Sequence, residues 1–179
     1  MEDLSLHMLD IAENSVDAGA DKIDIAITDS SGEDLFVLSI SDNGRGMDAE
    51  TVEKIADPFF TTKSVRSFGL GIPLLKQAAE ECNGSFSIAS SPGKGTCTKA
   101  TFQRSHIDRK PLGNLGVSMM VLISGHPEID FSLTYVRDAF CYRFDSAALK
   151  DTLDGVPINL PEVLKLIRDD INEGIQGTY

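Results

Sequence analysis

The sequence predicts a mixed α+β fold in which one layer of helices covers one sheet. Two helix-period segments, about residues 3–18 and 69–82, alternate along the chain with short β-prone runs near 22–28, 35–41, 85–91 and 96–103. Turn residues punctuate these segments at short intervals. With 179 residues and 41% hydrophobic content, the chain suffices for one domain, or one domain with a substantial extension.

Each element rests on its own residues. In 3–18, Met8, Ile11, Ala12, Ser15 and Val16 recur at three- and four-residue steps and make a packing face. His7, Asp10, Asn14 and Asp17 form a polar line on another side, and Gly19 is placed to stop the helix. Lys22–Thr28 alternates polar and apolar, and Leu35–Ser41 pairs with it across the polar turn 29–34. Asp48 reads as the N-cap of a short helix reaching Ile55. Residues 57–68 have no clean period and carry Lys63 and Arg66 among hydroxyls, the composition of a lid. Gly69 opens a helix that tolerates Pro73 in its first turn and ends at Asn83-Gly84. Two strands follow, joined by residues 91–95. From Arg104 to Gly116 the chain is polar and turn-rich, so residues 1–105 are read as one domain and 106–179 as a C-terminal β-rich extension. In the extension, Val117–Ser124 reads as a buried strand and Phe131–Val136 with Phe140–Phe144 as a hairpin. A closing helix covers Pro161–Asn172, with Gly174 at its end.

Charge and composition exclude several classes of partner. A net charge of −12 opposes broad contact with nucleic acid or an anionic membrane. No apolar run approaches the ~20 residues of a membrane-spanning helix. The start, Met1-Glu2-Asp3-Leu4, lacks the features of a signal peptide. Cys82, Cys97 and Cys141 are dispersed, which fits reduced thiols in a cytoplasmic protein.

Four segments carry the chemistry. Asp42-Asn43-Gly44-Arg45-Gly46-Met47 follows a strand, so a carboxylate is delivered at a strand end and followed by two glycines that let the backbone lie close to a flat ligand. By itself it reads as an ordinary turn. Asn14 offers a neutral amide oxygen, which suits Mg²⁺ that takes its charge balance from phosphates. Asp10, one turn earlier, is placed to act on a water or hydroxyl near that metal. Asp42 can accept a hydrogen bond from the amine of adenine. Gly69 and Gly71, at a helix start, present amides to phosphates.

In this order and spacing the segments resemble the ATP-binding domain shared by gyrase, Hsp90, histidine kinases and mismatch-repair ATPases, the GHKL superfamily. Residues 9–20 are similar to its N box, in wording nearest the mismatch-repair branch, and 42–47 to its first glycine box. Residues 57–63 look like the F box of histidine kinases and 67–72 like their second glycine box, while 91–96 are similar to the late Gly-Thr element. The resemblance implies the Bergerat fold, a two-layer α/β (α+β) sandwich whose mixed, mainly antiparallel sheet is covered by helices. It implies ATP and Mg²⁺ as cofactors. Asn14 would be the metal ligand, Asp42, Gly44, Gly46 and Met47 the adenine loop, and Thr96 a further adenine contact. Gly69, Leu70 and Gly71 would hold the phosphates, and Lys63 would be a lid residue near them.

The chain departs from the family at the catalytic position. Hydrolytic members carry a glutamate four residues before the asparagine; here Asp10 is one methylene shorter, which argues against efficient hydrolysis. Glu13 is displaced about 100° round the helix from Asn14 and is no substitute. His7 is followed by Met8, not by a phosphoacceptor motif. The expected function is a stand-alone phosphotransferase acting on a separate protein partner, with Asp10 as the catalytic carboxylate. An ATP-driven switch or slow ATPase, and a nucleotide sensor without turnover, are the alternatives, and a homodimer is left open.

Overall fold

The computed structural model describes residues 2–55 and 70–177. Twelve elements occupy these residues: α1 (Leu4–Asp17), β1 (Lys22–Ser30), β2 (Leu35–Asp42), α2 (Ala49–Ile55), α3 (Gly71–Glu81), β3 (Phe86–Ser90), β4 (Thr96–Gln103), α4 (Leu115–Gly125), β5 (Asp130–Arg137), β6 (Phe140–Asp145), α5 (Ser146–Thr152) and α6 (Pro161–Gln176). The strands form one sheet in the order β3-β4-β2-β1-β5-β6. All neighbours are antiparallel except β1 and β5, which run parallel with Ile25 opposite Leu133. The expected mixed, mainly antiparallel sheet is observed.

Alternation decides which face is covered. Ile23, Ile25 and Ile27 of β1 are buried beside Phe36, Leu38 and Ile40 of β2 and Phe131, Leu133 and Tyr135 of β5. The intervening Ala26, Lys99 and Arg143 are exposed. Helices α1, α3 and α6 pack on the apolar face, and α4 lies against both α1 and α6. Phe36 and Phe102 meet edge to face at 6.1 Å between ring centroids, the geometry aromatic pairs prefer. The core therefore sits under α1, and α1 has little freedom to shift relative to the end of β2.

The N-terminus of α1 is fastened by the segment before α4. The Leu4 and Ser5 amides donate to the Pro111 and Leu112 carbonyls at 3.0 and 2.9 Å, and the Asp3 carboxylate caps Leu6 at 2.9 Å. These satisfy amides that a helix start leaves without intrahelical partners.

Three expectations are corrected. Residues Val117–Ser124 are not a strand but the middle of α4, capped by Asn114, whose side chain accepts from the Val117 amide at 2.9 Å. A short apolar run cannot be assigned by periodicity alone, and the cap and Gly125 were the available signals. Gly174 does not end the last helix, which continues to Gln176; a Cβ there would lie 2.2 Å from the Tyr142 ring, so this glycine lets α6 approach β6. Asp29 belongs to β1, not to a polar turn. It is buried and paired with Arg104 and Arg137, whose Nε lies 3.0 Å away.

Candidate functional site

The end of β2, the last turn of α1 and the turn between β3 and β4 converge on Asp42. Its Oδ1 accepts from the Gly44 amide at 2.9 Å and the Thr96 amide at 3.2 Å, and its Oδ2 accepts from the Ser15 hydroxyl at 2.8 Å. Three donors fix the carboxylate in one orientation. The loop after it is clamped just as tightly. The Arg45 amide donates to Ala18 at 2.9 Å, the Gly93 amide to Arg45 at 2.7 Å, and the Met47 amide to the Ser90 hydroxyl at 2.8 Å. Two glycines are required by this packing. Gly46 has φ +65° and a Cβ there would stand 2.0 Å from the Ser91 carbonyl oxygen; Gly95 has φ +79° and would place a Cβ 1.8 Å from the Asp42 carbonyl oxygen. Asn43 is structural: its side-chain oxygen accepts from the Asp21 and Lys22 amides at 3.1 and 3.0 Å and ties the loop to the start of β1.

A cleft opens beside Asp42, lined by Ile11, Asn14, Ser15, Ala18, Arg45, Gly46, Met47, Ile72, Thr96 and Thr98. Apolar side chains with one fixed carboxylate suit a flat heterocycle that carries an amine.

At the other end of the cleft α3 begins at Gly71. A Cβ on Gly71 would lie 1.7 Å from the Asp10 Oδ2, so the carboxylate rests against this backbone. The cap residue Leu70 is 61% exposed and offers no side-chain cap to the helix. Burial raises the Asp10 carboxyl above its ordinary range, the Gly71 amide works against this, and Glu13 adds a smaller upward push. Asp10 Oδ2 and Asn14 Nδ2 are buried and lack a hydrogen-bond partner among the described residues. Orphaned polar atoms on a helix face fit a site completed by something that is not protein. Among those residues no group of three or more His, Cys, Asp or Glu could hold a metal, so a cation bound at Asn14 needs further oxygen ligands from a phosphate and water.

Of the residues singled out from sequence, Asn14, Asp42, Gly46, Met47 and Thr96 line one cleft, with Gly44 packed behind it against Ala18. Asp10, Leu70 and Gly71 cluster at the start of α3. Lys63, Gly69 and the whole of the lid segment 57–68 lie outside the described residues. Ser15, Thr98 and Ser90 were missed. Ser15 was assigned to the packing face, and the signal was a hydroxyl within an otherwise apolar stripe. No helix among the described residues is long and apolar enough to cross a membrane.

The chain is similar to several known proteins. The sensor histidine kinase YxdK of Bacillus subtilis is 31% identical over 97 residues, which cover 51% of this chain and 30% of that protein. The sensor protein kinase FleS of Pseudomonas aeruginosa is 37% identical over 90 residues, covering 50% and 22%. The chain thus spans less than a third of these relatives. The ADP-complexed MutL ATPase domain of Aquifex aeolicus superposes with a TM-score of 0.51 at 16% identity over 86% of this chain and 68% of that one. The N-terminal domain of a DNA repair protein gives 0.56 at 18% identity, over 81% and 52%. At such identities these two likenesses concern the fold alone. Residues 2–106 match the family described as histidine kinase-, DNA gyrase B- and HSP90-like ATPase, and the chain belongs to that family.

Proposed function

We propose that this chain binds Mg-ATP and passes the γ-phosphoryl group to a nucleophilic side chain of a separate protein. The observation that carries the reading is the Asp42 carboxylate, oriented by Ser15, Gly44 and Thr96 at the side of an apolar cleft. Oδ2 retains acceptor capacity beyond the Ser15 bond, and it matches the exocyclic amine of adenine; guanine presents a carbonyl oxygen there instead. Polyphosphate would extend toward Asn14, Asp10 and the first amides of α3, whose partial positive charge favours anions. Asn14 would hold Mg²⁺, which when bound neutralises charge on the phosphate oxygens.

In the transfer, the partner's nucleophile forms a bond to the γ-phosphorus, the bond to the β,γ-bridging oxygen breaks, and ADP leaves with that oxygen. The nucleophile's proton goes to solvent or to a base. Phosphoryl transfer needs mainly positioning and charge stabilisation, so a long-reaching protein base is not essential. Asp10 against the Gly71 backbone is poorly disposed to activate a water, which favours transfer over hydrolysis. The sensor kinases among the relatives support the same choice. The net charge of −12 leaves nucleic acid and anionic membrane out of the reading. A second reading, a slow ATP-driven switch, draws on the MutL-like fold.

Purified protein incubated with γ-labelled Mg-ATP, with and without proteins encoded beside it, tests both. Label on an added protein is the expected result. Free phosphate without protein-bound label would favour the switch, and neither would leave only a sensor.

A further inference from the structure

We propose that the seam between α1 and α4 is a docking surface for a basic amphipathic helix of a separate protein. The inference goes beyond the nucleotide reading and does not rest on it, because the seam uses none of the residues that line the cleft.

The apolar part of the surface comes from α4. Residues 111–125 contain no Asp, Glu, Lys or Arg, in a chain that is 25% charged. Leu115, Met119, Leu122 and Ile123 are buried, as the packing of α4 on α1 and α6 requires. Val117 and Val121, one turn apart, stay 38% and 44% exposed, with Met120 partly buried between them in sequence. A helix that is apolar all round is ordinarily covered all round. The adjoining helix adds Leu6, which is 41% exposed. The two helices run side by side in the same direction. Gly113, just before α4, packs so closely on Asp3 and Ser5 that a Cβ there would stand 2.5 Å from the Ser5 hydroxyl, and at the far end His126 Nε2 lies 3.1 Å from Glu13 Oε2. Leu6, Val117 and Val121 therefore fall within one stretch of the pair. Exposed apolar side chains that cluster in this way mark interaction sites, whereas single ones do not.

Charge selects the occupant. Residues 1–21 carry six carboxylates and no lysine or arginine. Glu13 and Asp17 follow Leu6 at helical spacing on the outer side of α1, and both reach solvent. Among the described residues their ion-pair partner is His126, which lies against Glu13. An apolar seam edged by carboxylates matches a helix with one apolar face flanked by lysines or arginines. A second copy of this chain would bring the same carboxylates against these, and nucleic acid or an anionic membrane would bring phosphates.

The test uses the full chain and two labelled model helices with the same apolar face, one bearing lysines and the other glutamates on its polar face. In fluorescence anisotropy titrations the basic helix should bind at least about tenfold more tightly than the acidic one, and more weakly as salt rises. The double variant Val117→Ser/Val121→Ser should weaken that binding at least about fivefold. Leu166→Ser, which removes a 69% exposed leucine of α6 beside Lys165, should leave it unchanged. Asp17→Lys should weaken it as well, whereas Asp151→Lys, an equal change of net charge at an exposed position of α5, should not. Thermal melts report whether each variant is folded, and Leu6→Ser, on the other helix, repeats the measurement should the double variant melt early. Wild-type affinity in the double variant and in Leu6→Ser overturns the inference. Equal binding of the two model helices, or equal losses in Asp17→Lys and Asp151→Lys, overturns it too, since contact would then lie in apolar surface or net charge alone. Sedimentation of the chain by itself adds the last outcome: a dimer that the double variant abolishes would make the seam a self-interface and overturn the proposal.

Discussion

Asp42 lines the cleft and Asp10 lies one turn of α1 before Asn14 of its lining, and the surroundings of the two carboxylates could hardly differ more. Asp42 accepts three hydrogen bonds from Ser15, Gly44 and Thr96, and the loop that follows is pinned to α1 and to the β3–β4 turn. Asp10 rests on Gly71 with one buried oxygen lacking a partner, and burial makes its ionisation harder. The Asp42 end, where the proposed function places the base, is thus built before any ligand arrives, so recognition there would cost little reorganisation. The Asp10 end, where the proposed function places the phosphates, carries polar atoms without a protein partner among the described residues. In that reading the site binds through its finished half and reports through its unfinished half.

The largest effect should come from breaking the finished half. Asp42→Ala removes the amine acceptor and strands three donors, so ATP affinity should fall about 100-fold, roughly 3 kcal/mol. Calorimetry with ATP and GTP checks it: the preference for ATP should vanish. If Asp42→Ala still prefers ATP, base recognition lies elsewhere.

Away from the cleft, nearer the start of α1, His7 makes a pH prediction. This ring is fully buried, and burial, with Lys110 and the N-terminal amine nearby and Asp3 opposing, lowers its pKa from 6.5 to about 4. The folded state holds the imidazole neutral while the unfolded chain protonates it near 6.5. Stability from this group is therefore intact above pH 6.5 and lost as pH falls toward 4, by about 2 kcal/mol at pH 5. Urea melts of the wild type and His7→Leu at pH 7.5 and 5 measure it; the variant's acid limb should be flatter by that amount. Equal slopes would mean that the ring accepts a proton in the fold.

The same contrast runs through the contact at Gly71. Gly71→Ala puts a methyl where the Asp10 Oδ2 stands, and overpacking of this kind costs about 1.5 kcal/mol. Asp10→Ala should restore most of it, so the pair is non-additive in thermal melts. Additive effects would show that the carboxylate swings away freely.

What could be read in advance follows the same division. The loop after Asp42 was legible because its demands are local: an aspartate at a strand end, then glycines where φ is positive or another backbone lies within van der Waals range. The elements before residue 104 were legible because helices and strands there differ in period. Val117–Ser124 was not, because a continuous apolar run has no period to separate helix from strand, and the evidence for a helix lay in its Asn114 cap and in the packing of α4 between α1 and α6. Asp29 was misplaced because its two arginine partners come from residues 104 and 137, far along the chain. The burial of His7 beneath the segment before α4 is likewise a long-range fact, since a polar residue on a helix face reads as solvated until a neighbour covers it.

Ser15 gives the smallest effect and the sharpest discrimination. Its hydroxyl donates to Asp42 Oδ2 at 2.8 Å and also lies 3.4 Å from the Ile11 carbonyl oxygen. If the Asp42 orientation depends on all three donors, Ser15→Ala frees one carboxylate oxygen and lowers ATP affinity about fivefold, near 1 kcal/mol, the usual worth of one such bond. Because the lost donor acts through Asp42, the effect should disappear in an Asp42→Ala background. The change should also be the same for ADP and adenosine, since it concerns the base and not the phosphates. A loss confined to ATP would place Ser15 in the phosphate half, and the division between a finished and an unfinished end would fail at that residue.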